Sequence, residues 1–179
     1  MAIPAGRYAL GPDDGTLSVR TQRTGAAAMA GHNLLLHVTS WEAVLVVGEN
    51  PADVVIEVSV DGGSLRVQEG SGGVQSLSDD QKAEIEQTVD NEVLRGEQIS
   101  FESTSVRADG DSLRVEGDLT LHGTTRPLGF DVAMTGDGTL GATAVIKQTD
   151  WGMKPYSTLF GALKVVDEVE VGIVARLGS

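Results

Sequence analysis

The side chains best suited to acid–base or metal chemistry in this chain are His32, His37 and His122, and their spacing favours neither. There is no HxH, no HExxH and no Cys/His pairing, so no dedicated zinc site is expected. The chain has no cysteine at all, which removes thiolate nucleophiles and disulfides without fixing the redox compartment. No G-x-S-x-G elbow occurs. The glycine-rich "GGSL" and "GSGG" lead into a strand or a polar loop rather than into a helix, so a phosphate cradle is not expected. Acidic residues number 26, yet no two stand out as a catalytic acid and base. These residues point to no enzyme, no metal and no cofactor.

What remains is the chemistry of apolar binding. His32 is in phase with Leu34, Leu36 and Val38 and so points toward one end of an inner face. There it is either a hydrogen-bonded rim residue or a polar anchor for a ligand headgroup. His122 lies in phase with Asp118 and Thr120, beside a turn, and reads as a solvated turn residue. The segment "IKQTDWGMKPYSTLFGALKVVDEVEV", 146–171, is too long and too apolar in its middle for an ordinary solvent loop. It carries Trp151, Met153, Tyr156, Leu159 and Phe160 in a chain with only seven aromatic residues. Two readings stand together here: a folded plug over one end of the core, or a lined portal for an apolar ligand. In the second, Lys147, Lys154 or Lys164 would serve a polar or anionic headgroup.

The elements that must position these residues are mostly strands. Alternation of period two, punctuated by glycine, runs through "RYAL", "TLSVRTQ", "HNLLLHVTS", "WEAVLVVG", 53–61 and 64–70, then through five further segments to "EVEVGIVARL". Gly62-Gly63 has hairpin composition. In "DLTLHGTTRPLGFDV", 118–132, a type II′ turn at Gly123-Thr124 predicts the pairs Leu119–Leu128, Gly117–Phe130, Val115–Val132 and Leu113–Met134. That register places every apolar residue on one face, with Gly117 leaving room for the Phe130 ring, and sets Glu116 against Asp131 as an unfavourable like-charge pair. "TGAAAMAG", 24–31, predicts a short helix capped by Thr24 and ended by Gly31. A longer helix starts at Ser78, with Gln81 at capping-box spacing, Asp79 and Asp80 in the first turn, an Ile85–Val89–Val93 stripe, and Gly96 as its stop. One narrow apolar stripe predicts a helix laid over the sheet or across an opening.

The chain of 179 residues reads as one domain, 1–179. A net charge of −13 without any basic block disfavours nucleic acid and anionic lipid headgroups. No apolar run is long enough to span a bilayer. "MAIPAGRYAL" lacks a basic region followed by an apolar core, so a cytoplasmic location is expected. Eight or so strands closed into a barrel would enclose an interior that side chains fill or that holds one small ligand. Small inward residues such as Gly117, Ala142 and Ala144 favour a cavity.

The "ISFESTSV" strand, the "LRVEGDLTLHGTTRPLGFDV" hairpin and the "QTDWGM" turn resemble the YceI-like family of lipid-binding proteins, in order and across nearly the whole chain. "AGHNLLLHVTSWEAVL" and "DWGMKPYSTLFGALKVVDEVEV" resemble a branch without export signals. The resemblance implies an all-β protein with minor helices: an antiparallel eight-stranded, lipocalin-like β-barrel with one longer and one short helix. It also implies an elongated pocket for a polyisoprenoid or other long-chain lipid, and a homodimer. One position departs from the family pattern: Gln148 stands where an arginine is common, three residues before the aromatic of the D-aromatic-G motif.

Taken together, these readings assign the pocket lining to Leu34, Leu36, Val115, Leu119, Phe130, Val132 and Ile146. The mouth is assigned to His32, Lys147, Trp151, Tyr156 and Phe160. Two competing expectations are an interaction protein with a filled core, and an enzyme on a lipid-like substrate. The latter requires His32, Asp150 or Lys147 to converge inside the sheet.

Overall fold

The computed structural model describes residues 3–50 and 53–178. Fourteen strands are present among them: β1 Gly6–Leu10, β2 Gly15–Thr21, β3 Arg23–Thr24, β4 Asn33–Val38, β5 Trp41–Val47, β6 Val54–Asp61, β7 Leu65–Ser71, β8 Gln98–Asp109, β9 Ser112–Leu121, β10 Thr124–Met134, β11 Thr139–Lys147, β12 Ser157–Thr158, β13 Leu163–Val165 and β14 Glu168–Arg176. Eleven of them form one curled antiparallel sheet in the order β1-β5-β6-β8-β9-β10-β11-β14-β2-β4-β7. β12, β13 and β3 make a small second sheet. The expectation of eight strands in a closed barrel is therefore corrected to an eleven-stranded curl, with no ladder joining β1 to β7 among the described residues.

The curl is tied where the chain passes between its two ends. Gly62-Gly63 is not a β-hairpin: β6 pairs with β5 and β8, whereas β7 pairs with β4. The turn instead carries the chain from one end of the sheet to the other, beside the Thr39–Ser40 corner that does the same between β4 and β5. Buried Ser64 joins the two corners, its Oγ accepting from Ser40 N–H at 3.1 Å and its carbonyl accepting from Thr39 N–H at 2.9 Å. Buried polar groups satisfied in this way hold the ends together without a ladder.

The long helix, α1 (Asp79–Thr88), begins on the predicted capping box. Ser78 Oγ accepts from Gln81 N–H at 3.2 Å and Gln81 Oε1 accepts from Ser78 N–H at 2.9 Å. One wider turn over Val89–Leu94 extends it, and the left-handed pair Arg95 and Gly96 ends it. The helix packs on β7, where Glu86 Oε1 accepts the free edge N–H of Val67 at 2.9 Å. It thus covers a sheet edge that would otherwise present an open row of donors and acceptors. The other expected helix, 24–31, is reduced to one 3₁₀ turn at Ala28–Ala30. Thr24 cannot cap it because it lies in β3, opposite Lys164. Ala27 N–H is already taken by the Ala162 carbonyl.

The β9–β10 hairpin turns on His122-Gly123, both with positive φ (54° and 71°), which is the type I′ pattern. The register is two residues from the predicted one: Leu119 pairs with Arg126, Gly117 with Leu128 and Val115 with Phe130. An even shift leaves every residue on its expected face. It also removes the like-charge pair, because Asp131 now faces Arg114, which bridges Glu116 at 2.8 Å and Asp131 at 3.4 Å. The space at Gly117 belongs to Phe101, since a Cβ there would meet that ring at 2.4 Å. Phe101 and Phe130 pack tilted, centroids 5.2 Å apart.

Candidate functional site

The concave face of the curl encloses a cavity of about 590 Å³. Strand parity builds its walls. Leu17, Val19, Thr21 and Arg23 all line it, as do Ala142, Ala144, Ile146 and Gln148, every second residue along two stretches of chain. The helix closes one side with Ile85, Val89 and Val93, the predicted stripe.

Of the residues assigned to the lining by sequence, Leu34, Leu36, Leu119, Phe130 and Ile146 stand on the cavity wall. Val115 and Val132 do not. Beyond the Phe101–Phe130 pair the sheet packs on itself, and Val115, wholly buried, sits there with Val106 while Val132 packs against the same cluster. Of the assigned mouth residues, His32 and Tyr156 border the cavity. Lys147 is exposed on the outer face: Ile146 points inward, so its neighbour points outward, opposite Glu168. Trp151 is a buried anchor rather than a mouth residue, its indole N–H donating to the Leu119 carbonyl at 3.0 Å. Phe160 is fully exposed and does not stand on the cavity wall.

Among the lining residues that the sequence did not lead us to assign, two bear on polar chemistry. Arg23 is one, and the signal for it was the phase it shares with Leu17, Val19 and Thr21. Its guanidinium donates to the Gly31 carbonyl and lies against Gly72, where a Cβ would meet Nη1 at 2.1 Å. Gln148, marked only as a departure from the family pattern, is the other. Its side chain is buried on the cavity wall, with one long bond from Nε2 to the Val166 carbonyl at 3.4 Å. Such an amide offers a donor and an acceptor but no charge.

Polar lining comes from Glu84 and Thr88 of α1 and Ser100 of β8, and five further polar residues are grouped together. Arg23, His32, Gln148, Tyr156 and Thr158 come from segments tied by the β3–β13 ladder and by Val166 N–H donating to the Gln22 carbonyl at 2.8 Å. His32 Nε2 is bonded to the Gln75 carbonyl at 2.6 Å, and Gly73 lies against its ring. Asp167 fixes the turn that carries Gln148 and Trp151, accepting from Thr149 Oγ1 at 2.6 Å and from Thr149 N–H at 2.9 Å. The Thr149 hydroxyl, aided by the Thr149 amide and by Lys147, holds the Asp167 carboxyl below the usual carboxylate range. Asp150 and Lys147 are exposed and do not join His32. His122, half-buried in its turn, is not on the cavity wall.

A curled antiparallel sheet around a largely apolar cavity defines a cavity-bearing β domain. The chain belongs to the YceI-like domain family, whose model matches residues 8–177. It is 49% identical over 41 residues to Protein YceI of Escherichia coli O157:H7, a match that spans 23% of this chain and only 22% of that relative. The crystal structure of Burkholderia cenocepacia BcnA is similar with a TM-score of 0.66 at 15% identity, covering 92% of this chain and 96% of that one. A polyisoprenoid binding domain from Saccharophagus degradans is similar with a TM-score of 0.57 at 8% identity, covering 98% and 99%. At these identities the two structures share the fold.

Proposed function

We propose that this protein binds one polyisoprenoid or similar long-chain amphiphile in its cavity, and that it sequesters or carries that molecule without transforming it. The observation that carries this reading is the cavity itself: about 590 Å³, with aliphatic and aromatic walls from the sheet and the helix. This lies within the ~300–1,000 Å³ typical of small-molecule sites. Each methylene buried there contributes about 0.8 kcal/mol, so a long chain binds without an elaborate polar site. The family membership and the polyisoprenoid-binding neighbour from Saccharophagus degradans support the same ligand class. A cytoplasmic location, from the sequence, and a homodimer, from the family resemblance, are also part of the proposal. Catalysis is disfavoured because His32, Asp150 and Lys147 do not converge. An open cavity likewise disfavours a filled-core interaction protein.

The test is native mass spectrometry of the delipidated protein with prenols of graded length. One prenol per chain, retained better as length increases up to a limit, is the expected result. No adduct at any length would overturn the reading.

A further inference from the structure

Apolar side chains are exposed on the segments that bring Arg23, His32, Tyr156 and Thr158 to the cavity. Phe160 is fully exposed, Leu159 is 54% exposed, Met29 82% and Val74 83%. They share one neighbourhood. The turns bearing Met29 and Leu159–Phe160 both pack on β13, and Ala27 N–H donates to the Ala162 carbonyl at 2.7 Å. The loop bearing Val74 is held to the same place by the His32–Gln75 hydrogen bond and by Arg23 against Gly72. Leu159 and Phe160 both hold left-handed backbone (φ 54° and 53°), a conformation bulky residues avoid, and it leaves both side chains in solvent.

The charge of these segments is equally distinct. The chain has 26 acidic residues and a net charge of −13, yet residues 21–41, 70–78 and 151–166 contain no aspartate or glutamate. They contain Arg23, Lys154 and Lys164 instead. These segments combine exposed apolar side chains with cations and no acids on an otherwise acidic protein, with the exposed Glu84 of α1 also on the cavity's edge, and that combination fits one kind of surface: a lipid interface with anionic headgroups. A second copy docked by two-fold symmetry would set these cations against themselves. The whole-chain charge predicts repulsion from anionic lipid, but beyond about 8 Å at physiological ionic strength that repulsion is screened, and the local face decides.

We infer that the rim formed by Met29, Val74, Leu159 and Phe160 docks on an anionic bilayer surface, where a chain passes between membrane and cavity without crossing water. The passage of the chain rests on the carrier reading; the docking stands independently of it.

Flotation with vesicles tests the docking, with phosphatidylcholine–phosphatidylglycerol vesicles run beside pure phosphatidylcholine at physiological salt. The wild type is expected to float with the mixed vesicles. Phe160→Asp and Met29→Asp, both at exposed positions, should retain the wild-type melting temperature and lose bound fraction by roughly tenfold or more. A wild type that floats with neither vesicle overturns the inference, as do variants that float like the wild type. A dimer in sedimentation velocity that Phe160→Asp dissolves, without flotation, assigns the rim to a second copy and also overturns it. Prenol loading from detergent, followed by native mass spectrometry, separates the two claims. Loading without flotation sinks the docking alone, and flotation without loading sinks the carrier reading alone.

Discussion

The indole N–H of Trp151 donates to the backbone carbonyl of Leu119 across 3.0 Å in a buried site. This one bond fastens the 148–151 turn to β9, and with it Gln148 on the cavity wall. Trp151 therefore acts on the site from behind it. Replacing it with phenylalanine keeps most of the packing and removes this bond, leaving the Leu119 carbonyl to its ladder partner Arg126, for an expected loss of about 0.5–1.5 kcal/mol in urea unfolding. An unchanged midpoint would show that the bond adds nothing.

Asp167 holds the opposite end of that turn, and its effect depends on pH. Its carboxyl is held below the usual range chiefly by the Thr149 hydroxyl, so its contribution is fully present above the ordinary aspartate value and fades as pH falls through the lowered one. The melting temperature of Asp167→Asn should lie below that of the wild type at neutral pH, and the two should converge on acidification below about pH 4. A gap that stays constant to low pH would contradict this assignment.

Glu86 closes the β7 edge by accepting from Val67 N–H. Glu86→Ala should cost about 0.5–1.5 kcal/mol and speed amide exchange at Val67, whereas Glu86→Gln, which keeps an acceptor, should cost less. Equal exchange rates in all three proteins would place the edge's protection elsewhere.

Ala144 lines the cavity among larger side chains. Ala144→Phe should shorten the usable volume and move retention toward shorter prenols. Phe130→Asp should abolish retention while the core around Leu36, Val38 and Trp41, of which Phe130 is not part, keeps the sheet folded. A folded Phe130→Asp protein that still holds prenol would refute the pocket assignment.

The elements were legible in the sequence where a local signal has one structural meaning. Alternation located the strands, and the Ser78–Gln81 box located the helix. Alternation assigns faces but not partners, which is why β6 and β7, adjacent in sequence, gave no hint that each pairs elsewhere. In the β9–β10 hairpin the same glycine suits a His-Gly or a Gly-Thr turn, and both keep the apolar face intact. The Arg114–Asp131 pair, invisible to a turn rule, distinguishes them. Phe160 was assigned to the mouth because the few aromatic residues of the chain concentrate in its segment; its exposure comes with a left-handed backbone conformation that no pattern of residue types announces.

The most direct test of the central claim is to purify the protein gently from its native host, extract it with organic solvent and quantify lipids by mass spectrometry. The expected result is a polyisoprenoid or comparable long-chain amphiphile at about one molecule per chain, as suits a cavity of this size. A clean extract, from protein that also takes up no prenol in vitro, would contradict it.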